Sequence, residues 1–532
     1  MSEKIIYGVS WPRISENSRS VISEDYVPMR DGVEMYTIIS VPKGVEKCPI
    51  VLYRTPYDHP HNGKPKDLRP FYLNNQFIER GYAVIHQHCR GTGDSLGDCY
   101  PYQNEREDGL AMLDYIRTLP FYNGEIFVAG GSYLSSVHLL YLDPVPHDVK
   151  GAALDIQTDR MYFRNYRCGM NYSWSNYEWW LSMMKHRFPN PDLTQAKIRP
   201  YKDMMKRMIG EDIPIFTGTL IHDKYDEFWQ DDPRTNVSEH LTIPVLLTDG
   251  WYDFYIDGMF SMWERLSDET RAKSAFVVGP WGHSTRLPKN PEYIPENGSI
   301  PSDYAAEWFD SIRENRPYKY AEVGKINYHS IGGGKWCVGD LPFGTNVYRY
   351  CLGDGGKLTD KPESGSLTYT YDPEVRLNCF KFHTIYKAHE VGSVDNVLSF
   401  VSDEADCEQA FCGRVRFNLE VSSDCEDTAF FARIYFTDGG VTYNLTETIT
   451  ALSYFYPDYK PGEKVTLNLT TPPIAFTLKN GERIRIDIAS DGGVYVPHAN
   501  VRGHWAEVTE SKVAHNTVHL DNSFVELTFD NN

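Results

Sequence analysis

The first half of the chain alternates short apolar runs with stretches whose apolar positions lie three and four apart. Cys48–Arg54, Gly81–His86, Ile126–Ala129, Gly151–Ile156, Ile243–Leu247 and Ser274–Val278 are apolar and rich in β-branched residues, and each gives way to a polar or glycine-rich loop. Such runs predict strands buried on both faces. Between them, Leu110, Leu113 and Ile116 within Glu107–Arg117, and Met259, Phe260, Trp263 and Leu266, follow helical spacing. Strand, helix, strand in succession predicts a parallel sheet built from βαβ units. The Asp31-Gly32 turn within residues 20–45 predicts an opening hairpin.

The pattern changes twice. Residues 157–240 carry clustered aromatics and methionines, among them Tyr162, Tyr166, Tyr172, Trp174, Trp179 and Trp180, without strands of the preceding kind. They read as an inserted helical segment placed to cover a site at the sheet's edge. From about residue 323 the helical signal stops, and Val415–Val421, Ala429–Phe436, Lys464–Leu469, Arg483–Ile488 and Phe524–Phe529 alternate with turns, as in an antiparallel β-sandwich. The expected organisation is an α/β body in two parts (1–156 and 241–322), a helical cap (157–240) and a C-terminal β-sandwich (323–532).

The chemistry sits where these strands end. Gly130-Gly131-Ser132-Tyr133 follows a buried strand and precedes a short apolar stretch to Tyr141, so a tight turn holds the Ser132 hydroxyl at the strand's exit and leaves the Tyr133 N–H beside it. Gly-Gly-Ser alone is also a plain strand-to-helix turn with a capping serine. Two further strands run into Asp253 and into His283. The order serine, acid, histidine, one per strand exit, is the order of an α/β-hydrolase triad. Tyr57 leaves the Cys48–Arg54 strand toward the same rim; from position alone it reads as a loop tyrosine that packs on its neighbours.

Composition narrows the function. A net charge of −20 and pI near 5.3, without a basic run, exclude a nucleic-acid partner. There is neither an apolar segment of spanning length nor a secretory pattern at Met1–Gly8, so no membrane is expected and the expected location is cytoplasmic. Ten scattered cysteines without a CxxC pair fit reduced thiols. His86 and His88 lie on one strand face without a third ligand nearby, so no metal is expected. Cys89–Gly97 is glycine-punctuated but lacks a P-loop lysine, so no nucleotide cofactor is expected either. Homo-oligomerisation stays open.

Together, Arg54-Thr55-Pro56-Tyr57, Arg90-Gly91 with Ser95 and Gly97, Gly130-Gly131-Ser132-Tyr133, Gly250-Trp251-Tyr252-Asp253 and Gly279-Pro280-Trp281-Gly282-His283 resemble the cocaine esterase and Xaa-Pro dipeptidyl-peptidase family of serine hydrolases over nearly the whole chain. The resemblance implies an α/β-hydrolase body, a helical cap and a C-terminal jelly roll. It implies Ser132 as nucleophile, His283 as base and Asp253 as its orienter, with the Tyr57 hydroxyl and the Tyr133 N–H as oxyanion donors. Two positions depart from the family pattern: Ser135 replaces a glycine of the elbow, and His88 stands where an acid is common. The carboxylates that bind a substrate ammonium in some relatives are replaced after Asp253 by Phe254-Tyr255-Ile256, although Asp257 follows. The expected activity is therefore hydrolysis of a small-molecule carboxylic ester with an apolar or aromatic acyl group, held by Tyr166, Trp174 and Tyr255. The alternatives are an Xaa-Pro dipeptidyl-peptidase or other amide hydrolase and, from another class, an inactive carbohydrate-binding relative.

Overall fold

The computed structural model describes residues 4–6, 9–57, 75–172, 174–287, 292–340, 346–381 and 384–530. Parts of the Met1–Gly8 stretch lie outside them. Eleven strands form the main sheet: β1 (Arg13–Glu16), β2 (Ser20–Pro28), β3 (Glu34–Pro42), β4 (Cys48–Thr55), β5 (Ala83–His88), β6 (Tyr122–Gly131), β7 (Val149–Asp155), β8 (Val245–Gly250), β9 (Ala275–Gly279), β10 (Ile326–Ser330) and β11 (Lys335–Gly339). Their spatial order is β11-β10-β9-β8-β7-β6-β4-β5-β3-β2-β1, with β4 to β10 parallel along the centre. β2 and β3 pair antiparallel around Asp31-Gly32.

Alternate residues of the central strands enter two cores. Ile50, Leu52, Ile126 and Val128 face Met112, Leu113 and Ile116 of helix α1 (Glu105–Arg117). Val51, Phe127 and Ala129 face Trp308 and Phe309 of the helix Tyr304–Arg313 on the opposite side. The strands lack a polar face because helices cover both sides. Three further helices matter below: α2 (Tyr133–Leu139), α3 (Met161–Asn165) and α4 (Tyr177–Met183).

Two features differ from expectation. β10 pairs parallel with β9, and β11 antiparallel with β10, so the main sheet continues to Gly339 rather than stopping at residue 322. The segment between β7 and β8 is mainly short helices, but it also holds a two-stranded ribbon, Tyr166–Arg167 against Met170–Asn171. Beyond β11 lies a β-rich unit whose sheet curls until its end strands, Val441–Ala451 and Val465–Leu478, pack on each other. All ten cysteines are free. Among the described residues no group of His, Cys, Asp or Glu is arranged to hold a metal, and no helix is long and apolar enough to cross a membrane. His86 stacks on Tyr53, and His88 Nδ1 accepts from the Asp94 N–H.

Candidate active site

The turn between β6 and α2 is strained at its centre. Ser132 has φ 57° and ψ −122°, a conformation that costs about 1–3 kcal/mol and persists only where its surroundings enforce it. Here they do. The Ser132 N–H donates to the Asp155 carbonyl at the end of β7 (3.0 Å), and the Ser132 carbonyl accepts from the N–H groups of Ser135 and Ser136. α2 crosses β6 so closely that a Cβ on Gly130 would lie 2.5 Å from Leu134 Cβ, which explains the glycine. Ser135, where the family pattern has glycine, is fully buried: its hydroxyl donates to the Gly130 carbonyl (2.5 Å) and accepts from the Asp155 N–H (3.1 Å). It ties the elbow to the neighbouring strand.

Asp253 and His283 leave adjacent strands, β8 and β9, and backbone hydrogen bonds lace their loops together. The Trp251 N–H donates to the Gly279 carbonyl and the Tyr252 N–H to the Trp281 carbonyl, both at 2.9 Å. A Cβ on Gly250 would lie 2.2 Å from the Trp281 oxygen, so only glycine permits this approach. The Asp253 side chain is buried, with Oδ1 accepting from the Tyr255 N–H (2.8 Å) and Oδ2 2.7 Å from His283 Nδ1. His283 Nε2 lies 2.9 Å from Ser132 Oγ. Carboxylate, imidazole and hydroxyl thus form one hydrogen-bonded chain. The ring is held face-on by Phe254, at 4.6 Å between centroids.

A cavity of about 460 Å³ opens in front of Ser132 and His283, walled by Tyr57, Tyr102, Tyr172, Trp179, Phe254 and Tyr255 and reached by Arg164 of α3. The Tyr57 residue is 43% exposed, yet its hydroxyl is crowded. Burial, reinforced by Tyr102, pushes the phenol up to about 12 against the opposing hydrogen bonds to Trp179 and Ser132. It therefore stays a neutral donor at any working pH. The Tyr133 N–H opens α2 beside Ser132, a position without an intrahelical acceptor. The Tyr133 ring points inward: its hydroxyl donates to Glu105 Oε1 (2.9 Å), and Glu105 pairs with the buried Arg54 (2.8 Å).

Of the three residues expected to hold substrate, only Tyr255 lines this cavity. Tyr166 is buried elsewhere, its hydroxyl committed to the carbonyls of Thr219 and Leu220 at 3.0 Å. Trp174 is buried against Tyr201, 5.1 Å between centroids. Asp257, four residues beyond Asp253, turns away to Arg167 (2.9 Å) and Arg414 (2.6 Å), and against the cost of burial these cations hold it below the usual carboxylate range. Tyr172 and Trp179 were named only among the clustered aromatics of the inserted segment, and Tyr102 and Arg164 were not singled out by the sequence. Tyr102 carries no local signal at all, since it sits in a loop and arrives by stacking on Tyr133 (4.7 Å).

Residues 31–285 match the family model described as X-Pro dipeptidyl-peptidase (S15 family), and residues 339–525 match that of the X-Pro dipeptidyl-peptidase C-terminal non-catalytic domain. The second match starts where the main sheet ends. The protein is a serine hydrolase. Over 588 aligned positions it is 30% identical to a candidate serine esterase of Mycobacterium bovis, covering 88% of this chain and 90% of that one. It is 24% identical over 478 residues to the cocaine esterase of Rhodococcus sp., covering 80% and 82%. A solved aminopeptidase from a marine sediment Thaumarchaeota archaeon superposes with a TM-score of 0.83 at 18% identity, covering 98% of each chain. The chain belongs to the CocE/NonD and X-Pro dipeptidyl-peptidase family.

Proposed function

We propose that this chain hydrolyses carboxylic esters by acyl transfer through Ser132. The observation that carries the reading is the hydrogen-bonded chain from Asp253 through His283 to Ser132, 2.7 and 2.9 Å, opening on a cavity. His283 Nε2 takes the hydroxyl proton as Ser132 Oγ bonds to the substrate carbonyl carbon. The resulting oxyanion accepts from the Tyr57 hydroxyl and the Tyr133 N–H. Collapse expels the alkoxide, which takes the proton back from His283 and leaves an acyl-enzyme. Water then adds by the same path, its proton passing through His283, and releases the acid.

The aromatic cavity walls support an apolar or aromatic group on the substrate. Amide cleavage, as in an Xaa-Pro dipeptidyl-peptidase, is supported by the family models alone. Against it, the carboxylate best placed in sequence to hold an α-ammonium, Asp257, is occupied by two arginines. Reaction with a neutral fluorophosphonate tests the mechanism. The adduct is expected on Ser132, and Ser132→Ala is expected to lose both labelling and turnover of phenyl esters. Labelling that survives Ser132→Ala would overturn the assignment, and faster turnover of Xaa-Pro amides than of phenyl or benzoyl esters would overturn the substrate class.

A further inference from the structure

Arg164 is the only formally cationic side chain among the described residues lining the Ser132 cavity, and no described carboxylate lies within ion-pair distance of it. Its neighbours are different. Arg160 reaches Glu239, Arg167 pairs with Asp257, and Arg234 pairs with Asp232. For Arg164 the contacts are the adjacent Asn165 side chain, at 3.2 Å, and the face of Phe254, with the guanidinium carbon 5.1 Å from the ring centroid. That same ring stacks on His283 at 4.6 Å, so these two distances place the cation within about 10 Å of the imidazole.

The surroundings do not neutralise this charge. The tyrosines that share the cavity, Tyr102, Tyr172 and Tyr255, are kept protonated by burial, with Arg164 pulling the other way in each case. Arg164 also borders two adjoining cavities, whose carboxylates are directed elsewhere: Asp232 pairs with Arg234, Asp253 with His283 and Glu447 with Arg433, while Asp231 is exposed. Ser175 and Asn176 add a hydroxyl and an amide to the wall of the same cavity. In a protein of net charge −20, a partly buried arginine without a carboxylate, surrounded by donors, is complementary to an anion.

We propose that Arg164 is a specificity residue which binds a carboxylate on the substrate, so that the preferred substrates are monoesters carrying a free carboxylate rather than neutral esters. The inference rests on the reading of Ser132 as nucleophile. Ser132 and Arg164 line the same cavity, so the acyl group to test carries its carboxylate a few bonds from the scissile carbonyl, as in the monoester of a short dicarboxylic acid. A carboxylate on the leaving group could reach the same cation, and the test separates the two.

The test is binding, measured on Ser132→Ala so that it does not depend on turnover. Titration of monophenyl glutarate against its neutral counterpart, methyl phenyl glutarate, is expected to show roughly tenfold tighter binding of the charged ligand. The preference is expected to vanish in Ser132→Ala/Arg164→Gln and to persist in part in Ser132→Ala/Arg164→Lys, with circular dichroism showing all three folded. A second pair, 3-acetoxybenzoate and its methyl ester, reports on a carboxylate in the leaving group, and preference for the charged member of either pair assigns the side. Equal affinity for the charged and neutral members of both pairs, or a preference unchanged by Arg164→Gln, would overturn the proposal. Fluorophosphonate labelling of Ser132 in the unmodified protein is scored separately, so a failure of the hydrolase reading is distinguishable from a failure of this one.

Discussion

Replacing Tyr57 by Phe removes a single oxygen from the site. The phenylalanine keeps the edge-on contact with Tyr133, 6.5 Å between centroids, so the wall and the elbow stay in place. What goes is one of the two proposed oxyanion donors, leaving the Tyr133 N–H alone. The loss of one such donor costs about 2.7–4 kcal/mol in the barrier, roughly a hundred- to a thousandfold in kcat. Because the oxyanion exists only after attack, the loss falls on kcat while KM moves little. Burial pushes the phenol up to about 12, so the donor keeps its proton throughout an ordinary assay, and the ratio of native to Tyr57→Phe rates is expected to be flat from about pH 6 to pH 10. Stopped-flow hydrolysis of a p-nitrophenyl ester, with acylation and deacylation resolved, measures both. A kcat within about twofold of native would refute the assignment and return Tyr57 to a packing role. A ratio that decays toward one well below pH 12 would refute the argument that burial keeps it neutral.

Two further predictions concern stability. Asp257→Ala leaves Arg167 and Arg414 facing each other without their shared carboxylate and is expected to cost about 3 kcal/mol, the scale for breaking a largely buried pair. Since Asp257 is held below the usual carboxylate range, its contribution is present above the unfolded pKa and is lost as pH falls through the lower folded value, so the gap in Tm between native and variant should narrow in acid; equal melting at pH 7 would sink the idea. Asp155 behaves oppositely: burial pushes its carboxyl up to about 7, opposed by the Tyr304 hydroxyl that donates to it. The folded state therefore keeps a proton that the unfolded chain releases, and stability drains as pH rises from about 4 to 7, by up to about 4 kcal/mol. Asp155→Asn, which still accepts from Tyr304, should gain on native over that interval; a constant offset in Tm from pH 4 to pH 8 would refute this.

The central strands were legible because each is buried on both faces, which leaves an unbroken apolar run such as Cys48–Arg54. The three strand exits were legible for the same reason: once the strands are placed, Ser132, Asp253 and His283 are the residues at their ends. The end of the main sheet was not. β11 is an antiparallel edge strand with largely exposed side chains, and its pattern does not differ from that of the β-rich unit that follows. The cavity wall was hidden for another reason. Tyr166 opens a ribbon of two-residue strands and Tyr172 follows it, too little regular structure for a period to show which aromatic faces inward, so the two were indistinguishable until the fold placed Tyr172 at the serine and Tyr166 against Thr219. Asp257 kept the amide alternative open through its sequence proximity to Asp253 alone, whereas its partners lie 90 and 157 residues away.

Those distant partners also bear on why the chain carries so large a β-rich unit. The loop from Gly250 to Asp257 presents the triad acid, and a misplacement of about 1 Å in such a group can cost a hundredfold in rate. Contacts inside its own βα unit are not its only anchors. The Trp251 indole donates to the His329 carbonyl of β10 (2.8 Å), and the Tyr252 hydroxyl donates to the Asn444 carbonyl of the C-terminal unit (3.0 Å). Asp257 is held by Arg414 of that unit and by Arg167 of the inserted segment, whose guanidinium also donates to the Glu447 carbonyl (3.1 Å). The loop is thus fixed from the sheet, the insertion and the C-terminal unit at once. An ion-paired carboxylate four residues beyond the buried Asp253 converts the packing of remote strands into the position of one side chain, and the hydrogen bond from His283 Nδ1 to Asp253 then transmits that position to the serine.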